Sequence, residues 1–238
     1  MLSPQGRVVM VSGANRGIGL AIARCLHAKG YNLSLGARRL AELQRTVDEL
    51  DRERVLCHAL EAADAISVKT WVDATIQRFG RLDGLVNNAG IVRSATILDE
   101  DETALDELWK VNVKGPLRLT RLAMPHLKAS GSGRIVNIAS LSGKRVRNDQ
   151  VGYAMSKFAV VALTHATRRL GWDSGVRATV VCPSFVATDM SAHANSTFGR
   201  QNMTQPDDLA EMVATVIALP NNAAVAELLV NCRYEEMV

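Results

Sequence analysis

Short apolar runs alternate along the chain with longer segments of helical periodicity, and this alternation constrains the fold more than any other feature. Most of the runs lack a period-2 polar alternation, which is typical of strands covered by helices on both faces. The runs lie at 7–12, 32–36, 54–60, 84–88, 134–139, 177–182 and 224–230. Helical segments lie at about 17–29, 39–51, 65–79, 101–130, 152–173 and 206–218. The repeated strand-then-helix order predicts an α/β fold with a doubly wound parallel sheet of about seven strands.

The length of 238 residues suits one large domain, which we predict to cover residues 1–238. Hydrophobic residues make up 47% and charged residues 22%, so the composition indicates a globular chain. Gly30, Gly80, Gly175 and the turn Gly131-Ser132-Gly133 fall where helices should end. The polar segment 190–204 has no clear period, and we predict that it is a mobile substrate loop.

Several classes of protein are disfavoured by the composition. The first residues lack a basic stretch followed by a long apolar core, and no later run reaches the ~18 apolar residues of a membrane helix. We therefore expect a cytoplasmic protein that does not contact membranes. The net charge of +4 comes from scattered basic residues, and aromatic residues are only 4%, which argues against nucleic-acid binding. The histidines share no ligand motif, so no metal site is predicted. The widely spaced cysteines are predicted to be reduced packing residues: Cys25, Cys57, Cys182 and Cys232.

A glycine-rich segment follows the first predicted strand directly and opens into an apolar helix. Glycines at this point allow a tight turn and close approach of the backbone to a pyrophosphate, and the helix N-terminus favours negative charge. The strand-loop-helix context raises the segment above a bare glycine pattern and indicates a dinucleotide-binding Rossmann fold. The residues predicted to hold the cofactor here are Gly13, Asn15, Arg16, Gly17, Ile18 and Gly19.

The end of the second predicted strand indicates which dinucleotide binds. An acidic residue at this point commonly holds the ribose 2′-hydroxyl of NAD, but our alignment places Ala37 there. Arg38 follows, and Arg16 lies in the glycine loop, so two guanidinium groups can reach a 2′-phosphate. Arg39 either joins them or is solvated. With no carboxylate expected to repel a 2′-phosphate, we predict NADP (NADPH) as the cofactor.

Three polar residues in the second half of the chain form a candidate catalytic group. Tyr153 and Lys157 are four residues apart in a predicted helix, so their side chains share a face, where the cation would lower the pKa of the phenol. A phenol tuned in this way is a proton donor that is usable near neutral pH. Ser140 ends the preceding apolar run. The spacing alone is weak evidence, because surface Tyr and Lys often fall four apart.

Taken together, these motifs resemble the short-chain dehydrogenases/reductases, in the subgroup with a Gly-x-x-x-Gly-x-Gly loop and a Tyr-x-x-x-Lys pair. The resemblance runs over nearly the whole chain. It rests on the glycine loop, Asn87-Asn88-Ala89-Gly90, Asn112, Ser140, Tyr153, Lys157, and Pro183 to Thr188.

The resemblance implies a role for each catalytic candidate. Tyr153 would be the acid/base, Lys157 would lower its pKa and bind the nicotinamide ribose, and Ser140 would hydrogen-bond the substrate oxygen. Asn112 would help hold a water in a proton relay, although a buried asparagine bonded to backbone is the alternative. The resemblance also implies a homotetramer or homodimer, with contacts from segment 101–130 and the helix that carries Tyr153.

The remaining cofactor contacts are also implied by the resemblance. Glu61 stands where the family usually has Asp, and Ser184 replaces a glycine. Asn88 is expected near the adenosine and Asn87 to be mainly structural. The implied contacts are Glu61 and Ala62 at the adenine, Asn88, Ala89 and Gly90 after the fourth strand, Tyr153 and Lys157, and Pro183, Val186 and Thr188 at the nicotinamide.

These expectations together indicate an NADP-dependent oxidoreductase that interconverts a carbonyl and an alcohol on a small ketone, aldehyde or hydroxy acid. A 3-oxoacyl-[acyl-carrier-protein] reductase is the alternative enzyme, although the chain has no glycine after Gly199 to form that group's glycine-rich tail. A non-catalytic nucleotide-binding scaffold is the alternative of a different class. The basic run Lys144-Arg145-Val146-Arg147 either favours an anionic substrate or is a solvated surface.

Overall fold

The computed structural model describes residues 1–192 and 199–234 and contains one sheet of seven parallel strands. The strand order is β3-β2-β1-β4-β5-β6-β7, which confirms the predicted doubly wound α/β fold. All seven carboxyl ends therefore meet at the same edge, and the chain reverses its direction of travel across the sheet between β1 and β4. The strands are β1 (Val8–Ser12), β2 (Asn32–Ala37), β3 (Val55–Ala59), β4 (Gly84–Asn87), β5 (Arg134–Ile138), β6 (Arg177–Pro183) and β7 (Glu227–Val230).

Helices connect the strands and cover both faces of the sheet. They are α1 (Gly17–Ala28), α2 (Leu40–Thr46), α3 (Ala65–Phe79), α4 (Thr103–Leu108), α5 (Gly115–Ala129), α6 (Val151–Gly171), α7 (Asp189–Ala192) and α8 (Pro206–Ala218). One apolar cluster joins α1 and α8 to one face through Ile22, Leu26 and Val213. A second joins α3 and α5 to the other through Trp71 and Leu119. Burial on both faces explains why the strands have no polar alternation.

The structure differs from the prediction in two helical segments. The predicted helix 39–51 ends at Thr46, because Val47 leaves the helical region and residues up to Leu50 form a turn. Leu43, Val47 and Leu50 are all buried. Apolar residues therefore continue at helical spacing after the helix has ended, which is why the prediction was too long. The predicted helix 101–130 is interrupted by a π-helical segment at Trp109–Lys114, between α4 and α5. Tertiary hydrogen bonds of Asn112 lie in this segment, and periodicity does not report them.

The predicted turns agree with the structure where it describes them. Gly30, Gly80, Gly131 and Gly175 all have positive φ, between 64° and 100°. In the predicted loop 190–204, the described residues include the end of α7 and a short 3-10 turn at Arg200–Asn202, whereas 193–198 lie outside the described residues. The four cysteines carry free thiols. Across the two described ranges, none of the helices is long and apolar enough to cross a membrane.

Candidate active site

The glycine loop joins β1 to α1 at the point where the sheet order reverses. Gly13 and Gly17 have φ values of +69° and +55°, which glycine adopts readily. A methyl group at Gly19 would lie 2.3 Å from the carbonyl oxygen of Gly13, so no side chain fits there. Arg16, the N-cap of α1, makes no side-chain cap, and the first backbone N–H groups of the 12-residue helix have no intrahelical acceptor. These uncapped donors suit an anionic group such as a pyrophosphate.

Gly19→Ala is expected to lower the free energy of unfolding by about 2–3 kcal/mol, because the new methyl group forces the loop and α1 apart. Urea unfolding of the purified variant measures this loss. Gly80→Ala is the control, since its Cβ would meet nothing within 4 Å and only its positive φ is unfavourable. We expect the control to lose about 1 kcal/mol. A smaller loss for Gly19→Ala than for the control would contradict this packing.

Asn88, directly after β4, ties the glycine loop to the next strand end. Its Nδ2 donates to the carbonyl oxygens of Ser12 at 2.9 Å and Gly13 at 3.2 Å. Its backbone N–H and that of Ala89 both donate to the Ser12 hydroxyl at 3.0 Å. Asn88 therefore shapes the loop that the sequence predicts to bind the cofactor, and its predicted adenosine contact stays a prediction.

Asn87 is structural, as the sequence suggested. Its Nδ2 donates to Asn137 Oδ1 at 2.7 Å and to Thr120 Oγ1 at 3.2 Å. Asn137 in turn donates to Thr164 Oγ1 at 2.8 Å, and all four residues are buried. The amides thus link β4, β5, α5 and α6 beneath the site.

The end of β2 carries the residues predicted to select the cofactor. Ala37 is buried and Arg38 is exposed, and Arg38 forms no ion pair with any residue in the described ranges. Arg39 is paired with Glu42, which also accepts a hydrogen bond from Asn15 Nδ2 at 2.7 Å. Ala37 leaves the strand end itself without a carboxylate, but the first turn of α2 brings Glu42 between the glycine loop and Arg39.

Arg16, the other predicted phosphate ligand, lies within reach of the segment that follows β6. Its guanidinium is 3.7 Å from Asp189 Oδ2, and both side chains are mostly exposed. A contact of this kind contributes at most about 1 kcal/mol, so Arg16 remains available to a ligand. Ile18 packs against the core cluster below, which leaves its backbone rather than its side chain to face a ligand.

The loop after β3 holds Glu61 and Ala62, the predicted adenine contacts. Glu61 is exposed, and its carboxylate accepts from the backbone N–H of Ala63 at 3.2 Å. Ala62 is buried, and a methyl group at Gly115 would lie 3.1 Å from its carbonyl oxygen. Glu61 stabilises its own loop, and its contact with adenine stays a prediction.

Ser140 and Tyr153 come together at the carboxyl end of β5, where the serine hydroxyl lies close enough to the phenol to influence its pKa. The Ser140 hydroxyl also accepts from the backbone N–H of Ser142 at 3.1 Å, which fixes its orientation at the start of a short 3-10 turn. Desolvation raises the pKa of Tyr153 to about 12, and the neighbouring Ser140 hydroxyl acts in the opposite direction. This direction is opposite to the sequence-based expectation, because desolvation is the largest effect on the phenol.

Lys157 lies one helical turn after Tyr153 and is buried. Its Nζ donates to the carbonyl oxygen of Ile138 at 3.1 Å and lies 5.5 Å from the centroid of the Tyr153 ring. Burial lowers the pKa of Lys157 to about 8, and Cys182 opposes this shift. The predicted shared face is confirmed, with the ammonium directed towards the end of β5.

Asn112 is buried in the π-helical segment, and its side chain is fully engaged. Its Oδ1 accepts from the backbone N–H of Ile91 at 2.8 Å, and its Nδ2 donates to Ile91 O at 3.0 Å and Ser156 Oγ at 3.1 Å. A methyl group at Gly90 would lie 3.3 Å from Asn112 Oδ1 and 3.8 Å from Lys157 Nζ. Asn112 therefore lies beside the catalytic candidates, but its amide holds the chain after β4.

The segment after β6 closes the site on the side of α1. Thr188 lies next to the glycine loop, because a methyl group at Gly17 would be 3.2 Å from its Cγ2. Ser191 fixes the turn by donating to the carbonyl oxygens of Val186 and Thr188 at 2.6 and 2.8 Å. Pro183 and Val186 are buried. Ser184 adopts no positive φ, so replacing the family's usual glycine creates no strain.

The basic run after Ser140 divides into two parts. Lys144 Nζ is 2.8 Å from Glu227 Oε2, and His165 Nε2 is 2.6 Å from the other oxygen of Glu227. Both contacts hold the pKa of Glu227 below its usual range. Lys144 thus ties the run to β7. The pKa of Arg145 is lowered by burial and then by Arg147 and Arg233, which places three guanidinium groups near each other.

Three residues of this site were missed in the sequence. Ser12 organises the chain after β4, Ser156 supports Asn112, and Glu42 contacts the glycine loop. Ser156 also donates to Tyr153 O at 2.7 Å, a local bond within α6. The only sequence signal for Glu42 was its position three residues after Arg39 on a helix, where opposite charges meet.

Comparisons with known proteins show the family of this chain. The short chain dehydrogenase family profile matches residues 7–198. An agropine synthesis reductase of Rhizobium rhizogenes is 43% identical over 234 residues, covering 98% of this chain and 54% of that protein. The chain thus spans about half the length of that relative. An uncharacterized oxidoreductase of Staphylococcus saprophyticus is 32% identical and is covered over 99% of its length, with 97% of this chain.

Solved structures also match over almost the full chain. A short chain dehydrogenase of Burkholderia cenocepacia in complex with NADP has a TM-score of 0.88 at 30% identity, covering 97% of this chain and 98% of that one. A 3-ketoacyl-(acyl-carrier-protein) reductase of Brucella melitensis, complexed with NADH, has a TM-score of 0.87 at 27% identity with the same coverage. The family profile, the overall sequence and the fold agree, and the chain belongs to the short chain dehydrogenase family of oxidoreductases.

Proposed function

We propose that this protein is an NADP(H)-dependent oxidoreductase that interconverts a carbonyl and an alcohol, with a small ketone, aldehyde or hydroxy acid as substrate. The observation that carries the proposal is that the Ser140 hydroxyl and the Tyr153 phenol lie close together beside buried Lys157. Two hydroxyl groups at the carboxyl edge of the sheet can donate to one substrate oxygen, next to the loop that suits a dinucleotide. The name of the agropine synthesis reductase relative supports reduction as the direction.

The cofactor site uses the glycine loop, the end of β2 and the segment after β6. The uncapped N-terminus of α1 would hold the pyrophosphate. Arg38 and Arg16 would bind the 2′-phosphate. Thr188 would contact the nicotinamide end of the cofactor. When bound, NADPH supplies the hydride. Solved relatives complexed with NADP support this choice.

Tyr153 would act as the general acid in reduction. Its raised pKa keeps the phenol protonated at neutral pH, so the proton is present when the carbonyl oxygen becomes negative. Ser140 would donate a second hydrogen bond to the same oxygen, with its orientation fixed by the N–H of Ser142. Alcohol oxidation would need the phenolate and is expected to be slow near neutral pH.

Lys157 would assist proton transfer electrostatically, and Asn112 would position the surrounding chain. The Lys157 ammonium would stabilise the phenolate left by proton donation and bind the ribose. Asn112 would position the chain after β4 through Ile91, because its amide already makes three hydrogen bonds. The water relay suggested by the resemblance would then involve Lys157 rather than the Asn112 amide.

A panel of ketones, aldehydes and hydroxy acids, assayed with NADPH, NADH and their oxidised forms, tests the proposal. We expect carbonyl-dependent NADPH oxidation with at least one member. NADPH binding without turnover on any member would favour a nucleotide-binding scaffold. An acetoacetyl thioester belongs in the panel, because the Brucella melitensis reductase is a structural relative and makes 3-oxoacyl reduction the second candidate.

We further infer a homotetramer or homodimer in the cytoplasm. Large apolar side chains on α5 and α6 are exposed in the single chain, and apolar exposure of this kind is typical of subunit contacts: Leu117, Met155 and Phe158. Light scattering of the purified protein measures its oligomeric state.

Arg38→Asp is expected to change the ratio of kcat/KM for NADPH to that for NADH by about 10- to 100-fold in favour of NADH, because a charge-assisted bond to the 2′-phosphate becomes a repulsion. Steady-state kinetics with both cofactors measure the ratio. Arg52→Asp is the control, since Arg52 is exposed and paired with Asp48. An unchanged ratio in Arg38→Asp would show that the 2′-phosphate lies elsewhere.

A further inference from the structure

Glu42 occupies an unexpected position between the glycine loop and the end of β2. Its Oε1 accepts from Asn15 Nδ2 at 2.7 Å, and its Oε2 accepts from Arg39 Nε. The carboxylate is half-buried, whereas the Arg39 side chain is 73% exposed. The pKa of Glu42 is held below its usual range by Arg39, then by Asn15, with a smaller contribution from Arg16. The carboxylate is therefore ionised and satisfied.

The groups that bind Glu42 are suited to an adenosine 2′-phosphate. A guanidinium and an amide N–H are ordinary phosphate ligands. Arg39 directly follows Arg38, and the glycine loop that carries Asn15 is hydrogen-bonded to Gly36 at the strand end that meets the adenosine ribose in dinucleotide folds. The two carboxylate oxygens already accept from these donors. Because like charges within a few ångströms repel, Glu42 and a 2′-phosphate cannot both use them without loss of binding energy.

We propose that Glu42 is a cofactor-selectivity residue, whose carboxylate occupies the Asn15 and Arg39 donors and weakens the binding of NADPH relative to NADH. The inference rests on the proposed cofactor site. In that site Arg38 and Arg16 strengthen the binding of NADPH, and Glu42 weakens it. The preference for NADPH is then the difference between two exposed arginines that attract the phosphate and one carboxylate that competes with it.

A purely structural role for Glu42 predicts a different effect on cofactor binding. If the carboxylate served only to hold the glycine loop against α2, its loss would weaken both cofactors equally. Glu42→Gln separates the two roles, because glutamine keeps an acceptor for Asn15 and removes only the charge. Glu42→Ala removes the contacts with both Asn15 and Arg39, so it measures how far cofactor binding depends on those contacts.

The test is a fluorescence titration of NADPH and NADH against wild type, Glu42→Gln, Glu42→Ala and Glu49→Gln. Glu49→Gln is the matched control, because Glu49 is exposed, pairs with Arg24 and loses the same charge. For Glu42→Gln we expect the Kd for NADPH to fall roughly three- to ten-fold, with that for NADH within about two-fold. The gain should shrink in high salt, and Glu49→Gln should show none.

Three results would overturn the inference: an unchanged or weaker NADPH affinity in Glu42→Gln, an equal gain for NADH, or the same gain in Glu49→Gln. Failure of the proposed function gives a different signature. A wild-type protein that binds neither dinucleotide overturns the cofactor site and this inference together. A wild type that binds NADPH, with no change in Glu42→Gln, overturns only the role of Glu42.

Discussion

Tyr153→Phe is expected to lower kcat for carbonyl reduction by about 10²–10⁴-fold, because it deletes the only proton that the phenol can donate. The ring and its packing remain, so the Kd for NADPH should stay within about three-fold, less than 1 kcal/mol. Steady-state kinetics on the best carbonyl of the panel and a fluorescence titration of NADPH give the two values. The combination of lost turnover and retained binding is what distinguishes a proton donor from a structural residue.

Tyr234→Phe is the matched control, since it removes the same hydroxyl from a side chain that is 89% exposed. It should leave both kcat and Kd unchanged. If Tyr153→Phe retained wild-type turnover, another group would have to supply the proton. If it lost NADPH binding and turnover together, Tyr153 would be a packing residue, and the assigned chemistry would fail.

The pH dependence follows from the same phenol. Because the pKa of Tyr153 is raised from 10.0 to about 12, the proton donor stays loaded throughout the neutral range. We therefore expect kcat for reduction to show no loss from phenol ionisation up to about pH 10. Alcohol oxidation should instead accelerate as the pH rises, because the phenolate fraction increases. A fall in reduction between pH 6 and 8 with apparent ionisation of Tyr153 would contradict the raised pKa.

Lys157→Met is expected to impair function and to increase stability near pH 7. The ammonium is buried, no carboxylate within the described residues pairs with it, and its pKa is lowered from 10.5 to about 8. A shift of this size corresponds to about 3 kcal/mol that opposes folding while the lysine is protonated. Losing the bond to Ile138 O costs about 1 kcal/mol, so the variant should be about 1–2 kcal/mol more stable than wild type. Its turnover should fall by about 10²-fold or more, with weaker NADPH binding.

The sign of the pH effect makes this prediction specific. The folded state disfavours the charged form, so the cost is complete below pH 8 and disappears as the pH rises towards 10.5. Urea unfolding of wild type and variant at about pH 7 and pH 10 should show the difference shrinking. Lys69→Met, at an exposed position, is the control and should show no such change. A variant that is less stable at both values would contradict the buried-charge cost.

Much of the fold was predictable because the five inner strands, β1, β2, β4, β5 and β6, are buried on both faces. Each apolar run became a strand with its ends displaced by at most a few residues, as in β7, which begins at Glu227 rather than near 224. The interruption of α4 and α5 by the π-helical segment was not predictable, since it depends on Asn112 contacting Ile91 and Ser156. A one-dimensional pattern carries no information about such partners.

In the site, too, local features were predictable from the sequence and features that depend on the folded chain were not. Ser140, Tyr153 and Lys157 were predictable because hydroxyl chemistry and helical spacing are local, and the structure brings them together. The sign of the Tyr153 pKa shift was not, because burial is a property of the folded chain. Glu42 was missed because Asn15, its hydrogen-bond partner, lies far away in the sequence.

The most direct test of the proposed proton transfer is a single-turnover measurement on NADPH-saturated protein mixed with the best carbonyl substrate, with both NADPH oxidation and alcohol formation quantified. For wild type we expect one alcohol formed per NADPH oxidised, and for Tyr153→Phe we expect bound NADPH that is not oxidised. Equal rates of alcohol formation in the two proteins would contradict the assignment of Tyr153 as the proton donor.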